Sequence, residues 1–542
     1  MSQQTMRVAI LNALSKVVKL PLEHASRLFD SSFDIKLSEL AIDSLDALEL
    51  CMEIETNTGV ELDPAELITL DTISDLIRHV SSKDERAAAS IVRASRDRPL
   101  PLSLAQENVW THCQNLVDPS GYILSMIDKI EGPLDAGMLA GCLSSVVSRH
   151  EILRTTFPLL DGRPVQMVHP AEEVALQIIY VGDNEDPKLA ARRIIEAERS
   201  LISDLANGPL RKFVLLRISD QEHLLIRLAH HIVWDGWSSK LLLDELSSLY
   251  EARFHEEPTD LSEIRLQYAD YAVWQRAVFD PAGQTYHDAI AWWATYFQDV
   301  RSWTELPFKR PKSLAGVDPS SGRIVRSIEP ELIKRLDEMR RTIATTLYKI
   351  WLAGFVAVLW LETNCSDLII GTFVTDRRHW QLRNLIGDFS NTIALKFRCD
   401  ANIAFSELVS HVGATLAAAE SHSEIPLEKL SVELQKRNIV MPPTSVIFAV
   451  PLGNHLEERR FANLRLTRHA PRNPTTMPWG CTLQIRERNG EHYCEVNFDA
   501  GIYDPLLVKM TLDHLCEFLN AVSHRPELKV GALRQSLSPS IG

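Results

Sequence analysis

A break in the hydropathy pattern sets the first limit on how this chain can fold. Up to residue 80 the apolar residues recur at helical spacing over 6–20, Leu45 to Glu55 and Thr72 to Val80. Residues 81–99, SSKDERAAASIVRASRDRP, then hold nothing large and apolar except Ile91 and Val92. No core can continue through such a stretch, which reads as a linker with room for a short helix. From Leu100 onward, strand and helix patterns mix. A chain of 542 residues is too long for one core. It therefore divides into a small helical unit, a linker and a larger mixed part.

In the larger part, strands are predicted at Ile123–Ile130, Arg211–Ile218, His223–His230, Leu368–Val374, Asn391–Phe397, Ser445–Val450 and Thr482–Arg486. Helices are predicted at Ala136–Arg149, Ser239–Phe254, Tyr268–Phe279, Ile290–Phe297, Pro330–Thr342, Thr346–Glu362, Phe405–His422 and Val508–Val522. That supply of elements suits two α/β lobes of roughly 180 to 250 residues each.

The net charge of -15 is unevenly placed. Residues 1–80 hold 14 Asp and Glu against 6 Lys and Arg, and the remaining 462 residues hold 58 against 51. The acidic excess excludes nucleic acid as a partner of the N-terminal unit and favours a partner with a basic docking surface. Apolar runs such as Leu347 to Leu361 fall short of a span of about 18 residues, and the N-terminus lacks the basic-then-apolar order of a signal peptide. The expectation is a cytoplasmic protein with no membrane partner. The eight cysteines never come closer than thirteen residues apart and form no CxxC, so they are read as small apolar side chains, not as disulfides or zinc ligands.

Two short motifs carry chemistry. In Leu40-Ala41-Ile42-Asp43-Ser44-Leu45, a helix follows in which Leu45, Leu48 and Met52 share one face and Asp46, Glu49 and Glu53 another. Taken alone, Ser44 or Asp43 caps this helix and the acids sit at its positive end. A capping box from Ser44 would want Glu or Gln at position 47, where Ala47 stands. The stretch AIDSLDALELCMEIETNTGVEL resembles the modification site of acyl carrier proteins, and the likeness extends over about residues 5–82. It implies a small all-α four-helix carrier domain. In that domain Ser44 would bear a covalent 4′-phosphopantetheine arm, and Asp43, Asp46, Glu49 and Glu53 would dock a basic partner. Asp43-Ser44-Leu45 is closer to fatty acid or polyketide carriers than to the Gly-Gly-x-Ser-Leu of peptidyl carriers, which tilts the cargo toward an acyl chain.

The second motif lies in Glu222–Asp235, EHLLIRLAHHIVWD, a strand ending in His230-His231, followed by a turn at Asp235-Gly236 and a helix from about Ser239. Neighbours on a strand face opposite ways, so only one histidine can face a given cavity. No carboxylate or thiol recurs at ligand spacing, and no metal site is expected. A bare pair of histidines at a strand end is ordinarily satisfied by backbone carbonyls. Here, however, His230 to Gly236 has the form HHxxxDG, which resembles the signature of condensation domains of nonribosomal peptide synthetases. Further segments stand in the family's order: Ser103 to Gln106, Arg149 to Phe157, Tyr268 to Trp274, Leu385 to Thr392, and a weaker His422 to Glu428.

This resemblance covers roughly Pro99 to Val522 and implies two chloramphenicol-acetyltransferase-like lobes facing each other across a tunnel. The expected division is a carrier at 1–82, a linker at 83–98, an N-lobe at 99–275 and a C-lobe at 276–542. His231 is implied as a general base or as a positioner of the nucleophile, the two roles being left open. Peptide N–H groups near Gly236 and Trp237 are placed where they could face an oxyanion. Asp235 is implied as a structural ion-pair partner, with Arg149 and Arg154 as candidate partners and His230 as a packing residue; His150, Trp292 and Trp293 read as structural. The chain departs from the family at Asn108, at Leu427 and in the late stretch Met441 to Phe448, which puts acceptor recognition and lobe contacts in doubt.

The implied function is transfer of an acyl group from the phosphopantetheine thioester to an amine, with formation of an amide. The arm would come from a phosphopantetheinyl transferase and the acyl group from an outside ligase or synthase. The acceptor would arrive in trans, free or on another carrier, because the chain stops about twenty residues after its last predicted helix. Rival expectations are an alcohol acceptor, epimerisation and a non-catalytic docking module. Against epimerisation, Trp237-Ser238 and Gly387-Asp388-Phe389-Ser390 replace that class's Ser-Trp and Gly-Trp-Phe-Thr. Docking modules tend to lose the second histidine, which is intact, and heterocyclisation would place an Asp at position 230.

Overall fold

The structure is a computed structural model. It describes residues 3–17, 35–40, 42, 44–58, 62, 67, 70, 72–82, 91–116, 119–182, 185–300, 306–309, 321–365, 367–377, 379–442, 444, 446–450, 458–469, 480–488 and 490–534. In the N-terminal unit, helices Gln3–Val17, Ser44–Thr58 and Ile73–Ser82 and a 3-10 turn at Leu37–Leu40 are described. They close on one apolar cluster in which Ile10, Leu14, Leu50, Ile54, Leu76 and Val80 are each fully buried.

The connection is not loose to its end. Ile91 is buried in the core of the first lobe. Arg96 is clamped between Glu151 and Asp270, each 2.7 Å away, and the Ala94 amide donates to Asp270 at 2.8 Å. The lone large apolar pair of the linker thus includes a lobe residue.

The first lobe is built on a six-stranded sheet in the order 458–461, 464–469, 123–131, 222–230, 211–217, 177–180. Every pairing in it is antiparallel except that of 177–180 with 211–217. Its central strand, Glu222–His230, is buried along both faces, which explains the near-continuous apolar run LLIRLA. Leu225 and Ala229 face helices Ala136–Arg149 and Gly236–Phe254, whereas Leu224, Ile226 and Leu228 face helix Pro187–Arg199. Strands Glu458–Phe461 and Leu464–His469 come from far down the chain. A division of the lobes at 275/276 by chain order is therefore corrected: the second half of the sequence lends a hairpin to the first lobe's sheet. Helix Tyr268–Val278 also runs across that boundary.

The second lobe has a six-stranded mixed sheet in the order 390–397, 368–375, 447–449, 481–488, 491–499, 321–328. Strand 447–449 is parallel to both neighbours. Helix Leu347–Thr363 is buried at every residue from Ile350 to Trp360, so its lack of a polar face reflects a position inside the lobe. Among the described residues no single helix is long and apolar enough to cross a membrane. Pro330–Thr342 and Leu347–Thr363 together have that length but meet at 107°.

Candidate functional site

The histidine pair stands where the first lobe's central strand ends, in contact with the second lobe. His230 pairs with Ile123 across the sheet, and its ring is fully buried. Its Nδ1 accepts the Ile232 amide at 3.2 Å, its Nε2 is 3.7 Å from Cys113 Sγ, and the Tyr122 ring stacks on it. Burial, reinforced by His231, pushes its pKa down to about 3. His230 is thus a neutral packing group. His231, one residue on in a 3-10 turn, keeps a side chain that is 22 % exposed. Its Nδ1 lies 3.3 Å from Asp388 Oδ2. Burial alone would lower the His231 pKa, but the Asp388 carboxylate, with Asp235 behind it, overcomes this and raises it.

Asp235 caps the helix Gly236–Phe254: its Oδ1 accepts the Ser238 amide at 2.7 Å and the Ser238 hydroxyl at 2.6 Å. Gly236 opens this helix, so its amide belongs to the first turn, whose N–H groups have no intrahelical acceptor and favour negative charge. Asp235 is an ion-pair partner, but not of Arg149 or Arg154. Its carboxylate is 3.0 Å from Arg377, which leaves the second-lobe strand Leu368–Thr375. The expected pairing is corrected for a geometric reason, since both arginines are engaged elsewhere. Arg149 holds Glu245 at 3.1 Å and the Ser262 carbonyl at 2.9 Å, and Arg154 donates to the His169 carbonyl. His150, 1 % exposed, also lies 3.2 Å from Glu245 and is structural. Trp293 is a core residue of the second lobe, and Trp292 stacks on His422.

Arg377 anchors a strap, residues 376–377 and 379–389, that packs against the motif. Its Nη1 donates to the carbonyls of Leu382 (2.9 Å) and Leu385 (2.7 Å), and its guanidinium lies 4.0 Å above the Phe389 ring. Ser238 Oγ reaches the Gly387 carbonyl and amide, each at 3.1 Å. A Cβ on Gly387 would fall 1.9 Å from the Tyr268 ring, so only glycine lets strap and ring meet. The dispersed motif segments converge here. Ser103 caps helix Leu104–Asn115 and bonds the Tyr268 hydroxyl at 2.8 Å. Gln106 donates to the Ile232 carbonyl at 3.2 Å, Tyr268 donates to the Asp388 carbonyl, and Tyr271 donates to Asp376 at 2.6 Å. Within the first lobe His112 bonds Tyr122 at 2.6 Å, and across the lobes it lies 3.5 Å from Glu428.

The strap also meets the N-terminal unit. Ser44 is the first residue of helix Ser44–Thr58, in the turn where amide groups favour a phosphate, so its position fits a phosphopantetheine attachment point. Asp43 lies outside the described residues, and Asp46 is half-buried on the same helix. Glu53 is 4 % exposed because it is not solvated: it pairs with Arg383 of the strap and with Lys16 at 3.0 Å. Burial would raise its pKa, yet Arg383 and Lys16 together hold it below the usual carboxylate range. Glu49 lies 3.7 Å from Arg383, and the Arg383 carbonyl accepts Trp237 Nε1 at 3.0 Å. Arg377, Arg383 and Asp388 were not foreseen from the sequence. Asp388 stands inside the segment that drew attention, whereas the two arginines have no local signal.

The family model described as condensation domain matches residues 97–537, and that described as phosphopantetheine attachment site matches 9–80. Linear gramicidin synthase subunits B and D of Brevibacillus parabrevis are 28% and 26% identical over 91% and 97% of this chain, which spans about a tenth of each. Among solved structures, the X-domain from teicoplanin biosynthesis has a TM-score of 0.69 at 23% identity, covering 81% of this chain and 98% of its own. The first condensation domain of the calcium-dependent antibiotic synthetase, solved with a substrate analogue, has a TM-score of 0.66 at 20% identity, covering 81% and 99%. The chain belongs to the condensation-domain family of nonribosomal peptide synthetases and carries, ahead of that domain, a carrier domain of the kind that bears covalent 4′-phosphopantetheine.

Proposed function

We propose that this didomain transfers an acyl group, held on the arm at Ser44, to an amine supplied in trans, forming an amide. The observation that carries this is the division of labour in the histidine pair. His230 is sealed and neutral, while His231 stays partly open where the two lobes meet, beside a carboxylate that strengthens it as a base. When bound, the arm supplies a thiol that presents the acyl group as a thioester. His231 takes a proton from the attacking amine as the C–N bond forms and returns it to the departing sulfur as the C–S bond breaks. General-base help of this kind is worth about 10² to 10⁴ in rate. First-turn amides at Gly236 and Trp237 suit the charge that develops on the carbonyl oxygen. The contacts of Glu49 and Glu53 with Arg383 support docking of the fused carrier on its own condensation domain.

The partners in this scheme are a phosphopantetheinyl transferase, an acyl-loading ligase or synthase, and an amine that is free or on another carrier. A recruiting role is the second reading, favoured by one likeness: an X-domain of this fold has been solved in complex with OxyB. Intact-mass measurement after treatment with coenzyme A and a phosphopantetheinyl transferase tests the carrier; the mass of the arm must appear and must vanish in Ser44→Ala. Loading with an acyl-coenzyme A and then supplying a panel of amines must yield amide product. A loaded protein that never gives up its acyl group to any amine would favour the recruiting role.

A further inference from the structure

The Asp388 carboxylate is built into the site more firmly than a loop residue requires. It is 1 % exposed, and its Oδ1 accepts the Ser390 amide at 3.1 Å and the Ser390 hydroxyl. That arrangement aims Oδ2 at His231 Nδ1, 3.3 Å away. A buried carboxylate needs donors or an opposite charge. The nearby guanidinium, Arg377, is already committed to Asp235 and to the Leu382 and Leu385 carbonyls. His231 Nδ1 is itself buried and, among the described residues, lacks an aligned hydrogen bond. Each group is the partner that the other needs.

We infer that Asp388 is a positioning residue for acyl transfer: it keeps the proton of His231 on Nδ1, turns Nε2 toward the incoming amine and stabilises the imidazolium formed there. This rests on the transfer proposed above. The proton moves from the amine nitrogen to Nε2 and then to sulfur, and Asp388 remains a carboxylate throughout. The other titratable groups around His231 do not take this role. His230 stays neutral, Asp235 is bound to Arg377, and Tyr122 presents its ring edge with centroids 6.5 Å apart. Behind Tyr122, Cys113 is pushed up to about 12 by burial, and Glu428 is held at His112.

The sign of the pH effect follows from the raised pKa of His231, to which Asp388 contributes most among the charges. Transfer needs the free base, so it rises with pH through that raised value, and loss of the Asp388 charge moves the rise to lower pH.

The test compares the full chain, wild type and Asp388→Asn, by NMR titration of ring-labelled histidine, with His231→Gln assigning the resonance. The pH profile of transfer from loaded Ser44 is measured in parallel. Expected are a lower His231 midpoint in Asp388→Asn, a kinetic limb that moves with it, a plateau rate about 10- to 100-fold lower, and partial recovery in Asp388→Glu. An unchanged midpoint, or wild-type transfer at every pH, would overturn the inference. Should Asp388→Asn fail to fold, Asp388→Glu decides, since its midpoint must stay above that of an unperturbed histidine. The titration needs no turnover, so a wild type that transfers nothing would count against the proposed function, and the NMR midpoints would then decide the role of Asp388 by themselves.

Discussion

Replacing Asp235 with Asn removes one negative charge from a contact that holds the two lobes together and leaves its geometry nearly untouched. The side chains of Asp235 and Arg377 are 6 % and 1 % exposed, and the guanidinium gives the carboxylate three contacts of 3.0 to 3.3 Å. Removing one partner of such a buried pair costs about 3 to 5 kcal/mol, because the other charge is left without compensation. Asn can still accept the Ser238 amide, so the cap survives. Asp235→Ala loses the cap as well and should cost about 1 kcal/mol more. Arg377→Met removes the charge and the bonds to the Leu382 and Leu385 carbonyls. The double variant Asp235→Asn, Arg377→Met should be less damaged than the two single losses added together, with a coupling of about 1 to 3 kcal/mol. Denaturant unfolding followed by tryptophan fluorescence is suited to the measurement: all 11 tryptophans lie beyond residue 82, so the carrier is silent, and Trp234 and Trp237 flank Asp235. A loss of about 3 kcal/mol corresponds to more than a hundredfold in the unfolding constant. If Asp235→Asn unfolded with the wild type, or the coupling were near zero, the lobes would not depend on this pair.

Other outcomes follow from the same contacts. Gly387→Ala should destabilise the lobes by about 1 to 3 kcal/mol through overpacking against Tyr268, visible as a lower unfolding midpoint; an unchanged midpoint would mean that strap and ring are not packed as described. Arg383→Glu should slow transfer from the fused carrier, and Glu49→Arg with Glu53→Arg should restore it; failure of the reversal to rescue would remove Arg383 from docking. The depressed pKa of Glu53 means that this contact is present above the ordinary carboxylate range and is lost as pH falls through the folded value, which distance measurements between labelled carrier and lobe should follow. Arg149→Ala should lower stability by about 1 to 3 kcal/mol through Glu245 and the Ser262 carbonyl while leaving the His231 titration midpoint in place.

Local chemistry was legible wherever one element carried its own signal. Helices Ala136–Arg149 and Pro330–Thr342 were bounded correctly by their apolar periodicity, and the apolar run marked the end of the strand at His230 and its start to within one residue. Helix Leu104–Asn115 escaped, although Ser103 and Gln106 form a capping box that marks its start. Strand Glu491–Asp499 escaped because EHYCEVNFD spreads its apolar residues among charges. What depends on pairing across long separations had no local signature. The hairpin at 458–469 joins a sheet whose next strand is 123–131, and Asp235 meets Arg377 from the other lobe. Arg149 and Arg154, from another of the segments that carry the resemblance, were the expected partners, but the lobe's packing turns Arg149 to Glu245 and Arg154 to the His169 carbonyl.

Whether His231 drives acyl transfer is decided by a single turnover from Ser44. The protein is loaded with an acyl-phosphopantetheine arm and mixed with an amine that yields product, and the acyl mass remaining on the carrier is followed for wild type and His231→Ala. The acyl group should leave the wild-type carrier as amide and remain on the variant, with transfer slowed at least about 10²-fold. Equal loss of the acyl group from both proteins, with amide formed in each, would contradict a catalytic His231.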